Sequence, residues 1–274
     1  MPTLPVPGAM LDYRIFGDGP LLVLIAGARG SGAIYHPLAQ HLSQHFRVLT
    51  YDRRGYGASL LDGPQDYDVR LQTDAGDVAR LIAHEGTGPA LVFGSSSGAI
   101  VALQVLTRHA ESVRLLLAHE PPALSLLADA EREREVASLQ DTYDLYYADG
   151  LRPAIGKFLV AMMSASDRRT LAAAAEHGDA AQTARDFDYW FEHELRQYPP
   201  TTFDIGALPR ANLAFIAGQD SGELLPHHIA TAFAARLGAP LHVLPGGHVG
   251  YLTYPAEFAQ ALAPLLRGSD PERS

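Results

Sequence analysis

The sequence predicts an α/β fold: a mainly parallel sheet with helices on both faces and one helical insertion. Three observations predict it. Unbroken apolar runs such as Leu21-Leu22-Val23-Leu24-Ile25-Ala26 have the composition of strands buried on both faces. Stretches with helical spacing separate those runs, and alternation of this kind favours parallel pairing. The alternation stops near Ala123 and resumes after Asp204. Residues 123–204 therefore read as a helical insertion, with the core at 1–122 and 205–274.

Taken in order, residues 9–16 partly alternate and run into Gly17-Asp18-Gly19-Pro20, the pattern of an antiparallel edge strand and its turn. The apolar run 21–26 ends in the loop Gly27-Ala28-Arg29-Gly30-Ser31-Gly32, and a helix is expected over 35–45. A strand over 46–51 closes on Asp52-Arg53-Arg54-Gly55-Tyr56-Gly57. Residues 73–84 carry Ala75, Val78, Leu81 and Ile82 at helical spacing, with Asp74, Asp77 and Arg80 opposite. Strand 90–93 follows, then Gly94-Ser95-Ser96-Ser97-Gly98 and a small-residue helix over 99–106. Strand 113–118 ends at His119-Glu120-Pro121-Pro122. The insertion is helical and rich in aromatics, with Glu131-Arg132-Glu133-Arg134-Glu135 as an exposed, ion-paired face. Strand 213–217, helix 226–237, strand 241–244 and helix 256–266 complete the core.

Composition narrows the function. A net charge of −10 without a basic stripe argues against a nucleic-acid surface. With no cysteine, disulfides, thiol nucleophiles and zinc–cysteine sites are ruled out. Residues 1–7 lack the basic and apolar regions of a signal peptide, and no run reaches membrane-spanning length. The expectation is a cytoplasmic enzyme without membrane partner or cofactor, acting on a small molecule. Nothing in the sequence fixes an oligomeric state.

The chemistry centres on Ser96. Strand, sharp Gly-flanked turn and helix make a nucleophile elbow, and of the three consecutive serines only Ser96 has glycine two residues away on both sides. Serine needs a base to take its proton. His248, in Pro245-Gly246-Gly247-His248-Val249-Gly250-Tyr251 after the last strand, can supply one at the same rim of a parallel sheet. His36, His41, His45, His84, His109 and His193 fall on polar helix surfaces and read as solvated. An acid should orient the imidazole. Glu120 and Asp220 both follow strands and both satisfy the order serine, acid, histidine, so the residues leave that choice open. An oxyanion hole is expected from the N–H of Ser97 and one from Gly27-Ala28. The loop at 27–32 lacks both a Walker lysine and the G-x-G-x-x-G spacing, which discounts nucleotide binding. Cap aromatics and methionines, Trp190 among them, are candidate substrate contacts, although such residues at helical spacing more often pack between helices.

On these motifs the chain resembles the α/β-hydrolase fold family over essentially its whole length. That resemblance implies an eight-stranded sheet, a cap inserted after the sixth strand and a serine–histidine–acid triad. Within the family, Gly94-Ser95-Ser96-Ser97-Gly98-Ala99, Ala118-His119-Glu120-Pro121-Pro122 and Leu244-Pro245-Gly246-Gly247-His248-Val249-Gly250-Tyr251 are similar to the zearalenone lactonase type. There the acid is the glutamate of the His-Glu element, which carries over onto Glu120. The more widespread position for an aspartate falls on Ser221, one residue past Asp220. The cap resembles the lactonases poorly, so the resemblance implies the mechanism, hydrolysis of an ester or lactone, better than the substrate. General esterases, C–C hydrolases and perhydrolases share such a triad, and a non-catalytic ligand-binding relative is the alternative of another class. A haloalkane dehalogenase or epoxide hydrolase would need aspartate in place of Ser96.

Overall fold

A computed structural model describes residues 2–86 and 88–268. In chain order the strands and helices are β1 (Thr3–Val6), β2 (Ala9–Phe16), β3 (Leu21–Ile25), α1 (His36–Leu42), β4 (Arg47–Tyr51), β5 (Leu60–Leu61), α2 (Arg70–Glu85), β6 (Ala90–Ser95), α3 (Ser97–Arg108) and β7 (Val113–His119). Then come α4 (Asp129–Asp149), α5 (Leu151–Met162), α6 (Ala165–Glu176), α7 (Ala180–His193), β8 (Leu213–Gly218), α8 (Leu225–Leu237), β9 (Leu241–Leu244), α9 (Gly250–Thr253) and α10 (Pro255–Arg267).

The sheet runs β1-β2-β4-β3-β6-β7-β8-β9, with the two-residue β5 pairing beside β2. From β4 to β9 every pairing is parallel, while β1, β2 and β5 are antiparallel. Successive side chains of a strand point to opposite faces, and β3 divides accordingly. Leu21, Val23 and Ile25 enter the core under α2, α3 and α8, whereas Leu22 and Leu24 enter the one under α1 and α10. Covered on both sides, the strand must be apolar at every position.

Two local expectations change. The segment 9–16 is a strand but not the edge, because β1 lies outside it. The sequence hides β1 behind Pro5, yet an edge strand tolerates a missing donor, and Thr3 and Pro5 point outward while Leu4 and Val6 are buried. The face 131–135 is only partly exposed: Glu131 and Glu135 are half-buried, and Glu131 faces His228 of α8.

Helices α4–α7 all fall between β7 and β8. They form their own apolar cluster around Phe158, Trp190, Phe191 and Leu195, with Tyr56 of the core packed into it. Among the described residues no helix is long and apolar enough to cross a membrane.

Candidate active site

Strand register brings the candidate residues together. Ser95 at the end of β6 pairs with His119 at the end of β7, and His119 pairs with Ile216 of β8. The next residue of the first two strands, Ser96 and Glu120, turns out of the sheet with φ of +56° and +44°. Side chains other than glycine rarely occupy that region, and strain of this kind costs about 1–3 kcal/mol. Local hydrogen bonds hold both turns: Ser96 N–H donates to His119 O at 3.0 Å, and Glu120 N–H to Ile216 O at 3.0 Å. The elbow closes tightly because residues 94 and 98 have no side chain. A methyl group on Gly98 would strike the carbonyl oxygens of Ile25 and Ala26, and one on Gly94 would strike that of Gly98.

Glu120 reaches His248 directly, with Oε2 2.7 Å from Nδ1. Its other oxygen accepts from Gly218 N–H at 2.8 Å. Burial alone would raise its pKa, but the hydrogen bond from His248 and the proximity of His119 outweigh burial and hold it at about 2. It is therefore a carboxylate at neutral pH. Asp220 is exposed, and no hydrogen bond or ion pair links its side chain to the imidazole.

Nε2 of His248 is buried and has no hydrogen-bond partner among the described residues. His248 lines a cavity of about 240 Å³ that Gly27, Ala28 and Ser96 also line. A methyl group on Gly27 would lie 2.9 Å from Ser96 Cβ, which measures how closely that loop approaches the serine. The Ala28 and Ser97 N–H groups have no protein acceptor among the described residues, Ser97 because it begins α3. The rest of the wall is mostly apolar, with Leu159, Met163 and Leu171 from the insertion and Val249 and Tyr251 from the core, and Arg29, Arg168 and Thr183 add polar groups to it. A smaller chamber of about 70 Å³ is also lined by Ser96 and Ser97, with Pro122, Met162 and Trp190 among its walls. Phe158 lines both chambers. Trp190 is 2% exposed and packs on Phe158 with centroids 4.8 Å apart, so it serves the insertion's core as well as the chamber wall.

Two neighbours were not singled out from the sequence. Asp167, at the third position of α6, is fully buried and accepts from the backbone N–H of His248 at 3.0 Å. A side chain on Gly247 would overlap its carboxylate, so glycine there admits the contact. Ser164-x-x-Asp167 is legible as a helix capping box, and the box is present. Its second role depends on how α6 docks, which local sequence does not encode. Behind the site, His119 Nδ1 lies 2.9 Å from Ser95 Oγ, and burial lowers its pKa to about 4, leaving it neutral.

An open parallel sheet carrying serine at a strained strand–helix turn, with histidine and glutamate at the same rim, is the architecture of an α/β hydrolase. Residues 22–261 match the model of the alpha/beta hydrolase family, and the chain belongs to that family. It is 32% identical to the uncharacterized hydrolase YraK of Bacillus subtilis (strain 168), over 96% of this chain and 95% of the relative. It is 27% identical to the zearalenone hydrolase of Bionectria ochroleuca, over 94% of each. The crystal structure of the enol-lactonase from Burkholderia xenovorans LB400 shares the fold with a TM-score of 0.71 at 20% identity, covering 97% of this chain and 99% of that one.

Proposed function

We propose that the protein is a serine hydrolase that cleaves a carboxylic ester or lactone through an acyl-enzyme. The observation that carries this reading is the buried Glu120–His248 pair, whose Nε2 has no partner among the described residues and whose histidine lines the same cavity as Ser96. His248 Nε2 takes the Ser96 proton as Oγ attacks the substrate carbonyl. Glu120, ionised, fixes the imidazole with Nδ1–H toward itself and stabilises the imidazolium. The N–H groups of Ala28 and Ser97 receive the oxyanion, each contributing roughly 3 kcal/mol of transition-state stabilisation. Collapse breaks the ester C–O bond, and Nε2–H hands its proton to the leaving alkoxide. Water, deprotonated by the same nitrogen, then releases the acid and restores Ser96.

Two chambers that share Ser96 in their walls suit a substrate with a substantial group on each side of the scissile bond. Their predominantly apolar walls favour ring or hydrocarbon groups, with Arg29 and Arg168 in the larger chamber and Glu135 and Lys157 in the smaller one placed to meet polar substituents. Helices α4–α7 act in this reading as a cap that closes both chambers. The names zearalenone hydrolase and enol-lactonase among similar proteins make a lactone, including a bulky resorcylic macrolactone, the first substrate to offer.

Ser96→Ala should abolish turnover of aryl esters and lactones while circular dichroism and melting temperature stay near those of the parent. Retained turnover would sink the serine mechanism. A panel running from short acyl aryl esters to a resorcylic lactone then fixes the class. A kcat/KM favouring the short esters by orders of magnitude would assign a general carboxylesterase instead.

A further inference from the structure

The peptide that carries the Ala28 N–H is held from its other side by a buried cation. Arg53, in the loop after β4, is 0% exposed. Its Nη2 donates to Gly27 O at 2.8 Å and to Glu194 Oε2 at 2.8 Å. Its Nη1 donates to Glu194 Oε1 at 3.0 Å and to Asp74 Oδ2 at 2.9 Å. The carbonyl of Gly27 and the N–H of Ala28 belong to one peptide unit, and the described chain has no cis peptide bond. In a trans peptide these two groups point in opposite directions. Fixing the oxygen therefore fixes the direction of the N–H.

Gly30 N–H also donates to Gly27 O, at 3.0 Å, so the carbonyl is held by a backbone anchor and a charged one. The charged one adds polarisation. A hydrogen bond from a cation draws electron density toward the carbonyl oxygen and makes the N–H of the same amide a better donor. The guanidinium itself has little freedom. Glu194 grips it with both oxygens, Asp74 is held in turn by the Tyr198 hydroxyl at 2.8 Å, and the Tyr56 ring lies 4.9 Å from the guanidinium carbon. Glu194 immediately follows α7, so the grip comes from the insertion. Buried ion pairs are inefficient stabilisers, because desolvation offsets most of their attraction. A structural role alone gives no reason for the guanidinium to reach this particular carbonyl.

We infer that Arg53 is a positioning residue that orients and polarises the Gly27–Ala28 peptide as an oxyanion donor, and that Glu194 ties this donor to the docked insertion. The inference rests on the serine mechanism proposed above. Arg53→Lys keeps the charge, but one ammonium cannot serve Glu194 and Gly27 O in the same planar arrangement.

The test compares R53K with the parent on one aryl ester, per active site titrated with a fluorophosphonate. The expected result is a kcat lower by about 10–100-fold and a KM within about threefold. The inhibition constant of a boronic acid, which forms a tetrahedral adduct on serine, should weaken by a factor similar to the loss in kcat. A structural role alone would lower the melting temperature and the titrated fraction, with turnover per site unchanged. That outcome overturns the inference. Should R53K fail to fold, Glu194→Gln removes one charged anchor while preserving shape, and the same selective loss in kcat is expected. Unchanged kcat per site there overturns the inference equally. Fluorophosphonate labelling of the parent separates the two failures. No label on Ser96 defeats the serine mechanism, whereas a label with unchanged variant kcat defeats only the role of Arg53.

Discussion

Glu120 sits at φ +44°, a conformation that costs an ordinary side chain energy, and the site explains why it is kept. The turn lets its backbone bond to β8 while its carboxylate spans His248 and the Gly218 N–H. Neither feature is local. Both depend on how β7, β8 and the loop after β9 come together, so the residues alone do not rank Glu120 above Asp220, and only the resemblance at the His-Glu motif does. Glu120→Gln preserves the volume and removes the charge that, in the proposed mechanism, stabilises the imidazolium. It should lower kcat by ~10³–10⁴, as expected when a triad acid becomes an amide. Asp220→Asn should leave kcat/KM within about twofold, since that carboxylate is exposed and, among the described residues, has no hydrogen bond or ion pair to the imidazole. Steady-state kinetics of the two variants on one aryl ester decide the matter, and a loss confined to D220N would reverse the assignment.

The elements show which sequence signals travel. The elbow was legible because its geometry is written in three adjacent signals: an apolar strand, glycines at 94 and 98, and a small-residue helix. His248 was legible because it follows the last strand between glycines. Strand β1 was not, since proline lowers strand propensity and only the outer place in the sheet makes it acceptable. The grip of α6 on the histidine loop was equally hidden, because Asp167 looks like any helix-capping carboxylate. Its position at the helix N-terminus suits a negative charge; Oδ2 accepts both from Ser164 in the cap and from the His248 N–H, and Oδ1 accepts from the Val249 N–H at 3.4 Å. Asp167→Ala would strand the buried N–H of His248, which costs about 1–3 kcal/mol. The expected outcome is a lower melting temperature together with a reduced kcat, because the loop carrying the base loosens. Asp167→Asn keeps one acceptor oxygen and should recover most of both. Equal kcat in the alanine variant and the parent would confine Asp167 to capping α6.

At the scale of the molecule, two apolar layers enclose a rim with buried titratable groups, and this sets an acid limit to stability. Burial lowers the His119 pKa from 6.5 to about 4. As pH falls from about 6.5 toward 4, the unfolded chain takes up a proton that the folded chain refuses, so stability declines through that window and the loss is complete below it. The displacement corresponds to on the order of 3 kcal/mol. Glu120, held at about 2 against 4.5 for an ordinary glutamate, acts with the same sign in a lower window. Its contribution is full above about 4.5 and vanishes as pH falls through 2. His119→Gln offers Ser95 an amide in place of the imidazole and cannot titrate. Urea unfolding at intervals from pH 7.5 to 4 should therefore show a parent stability that falls more steeply than that of H119Q between pH 6.5 and 4. Glu120→Gln should retain the steep fall in that upper window and diverge from the parent only nearer pH 4. Parallel curves for H119Q and the parent would mean that His119 takes up its proton equally in both states, and the neutral imidazole behind Ser95 would have to be abandoned.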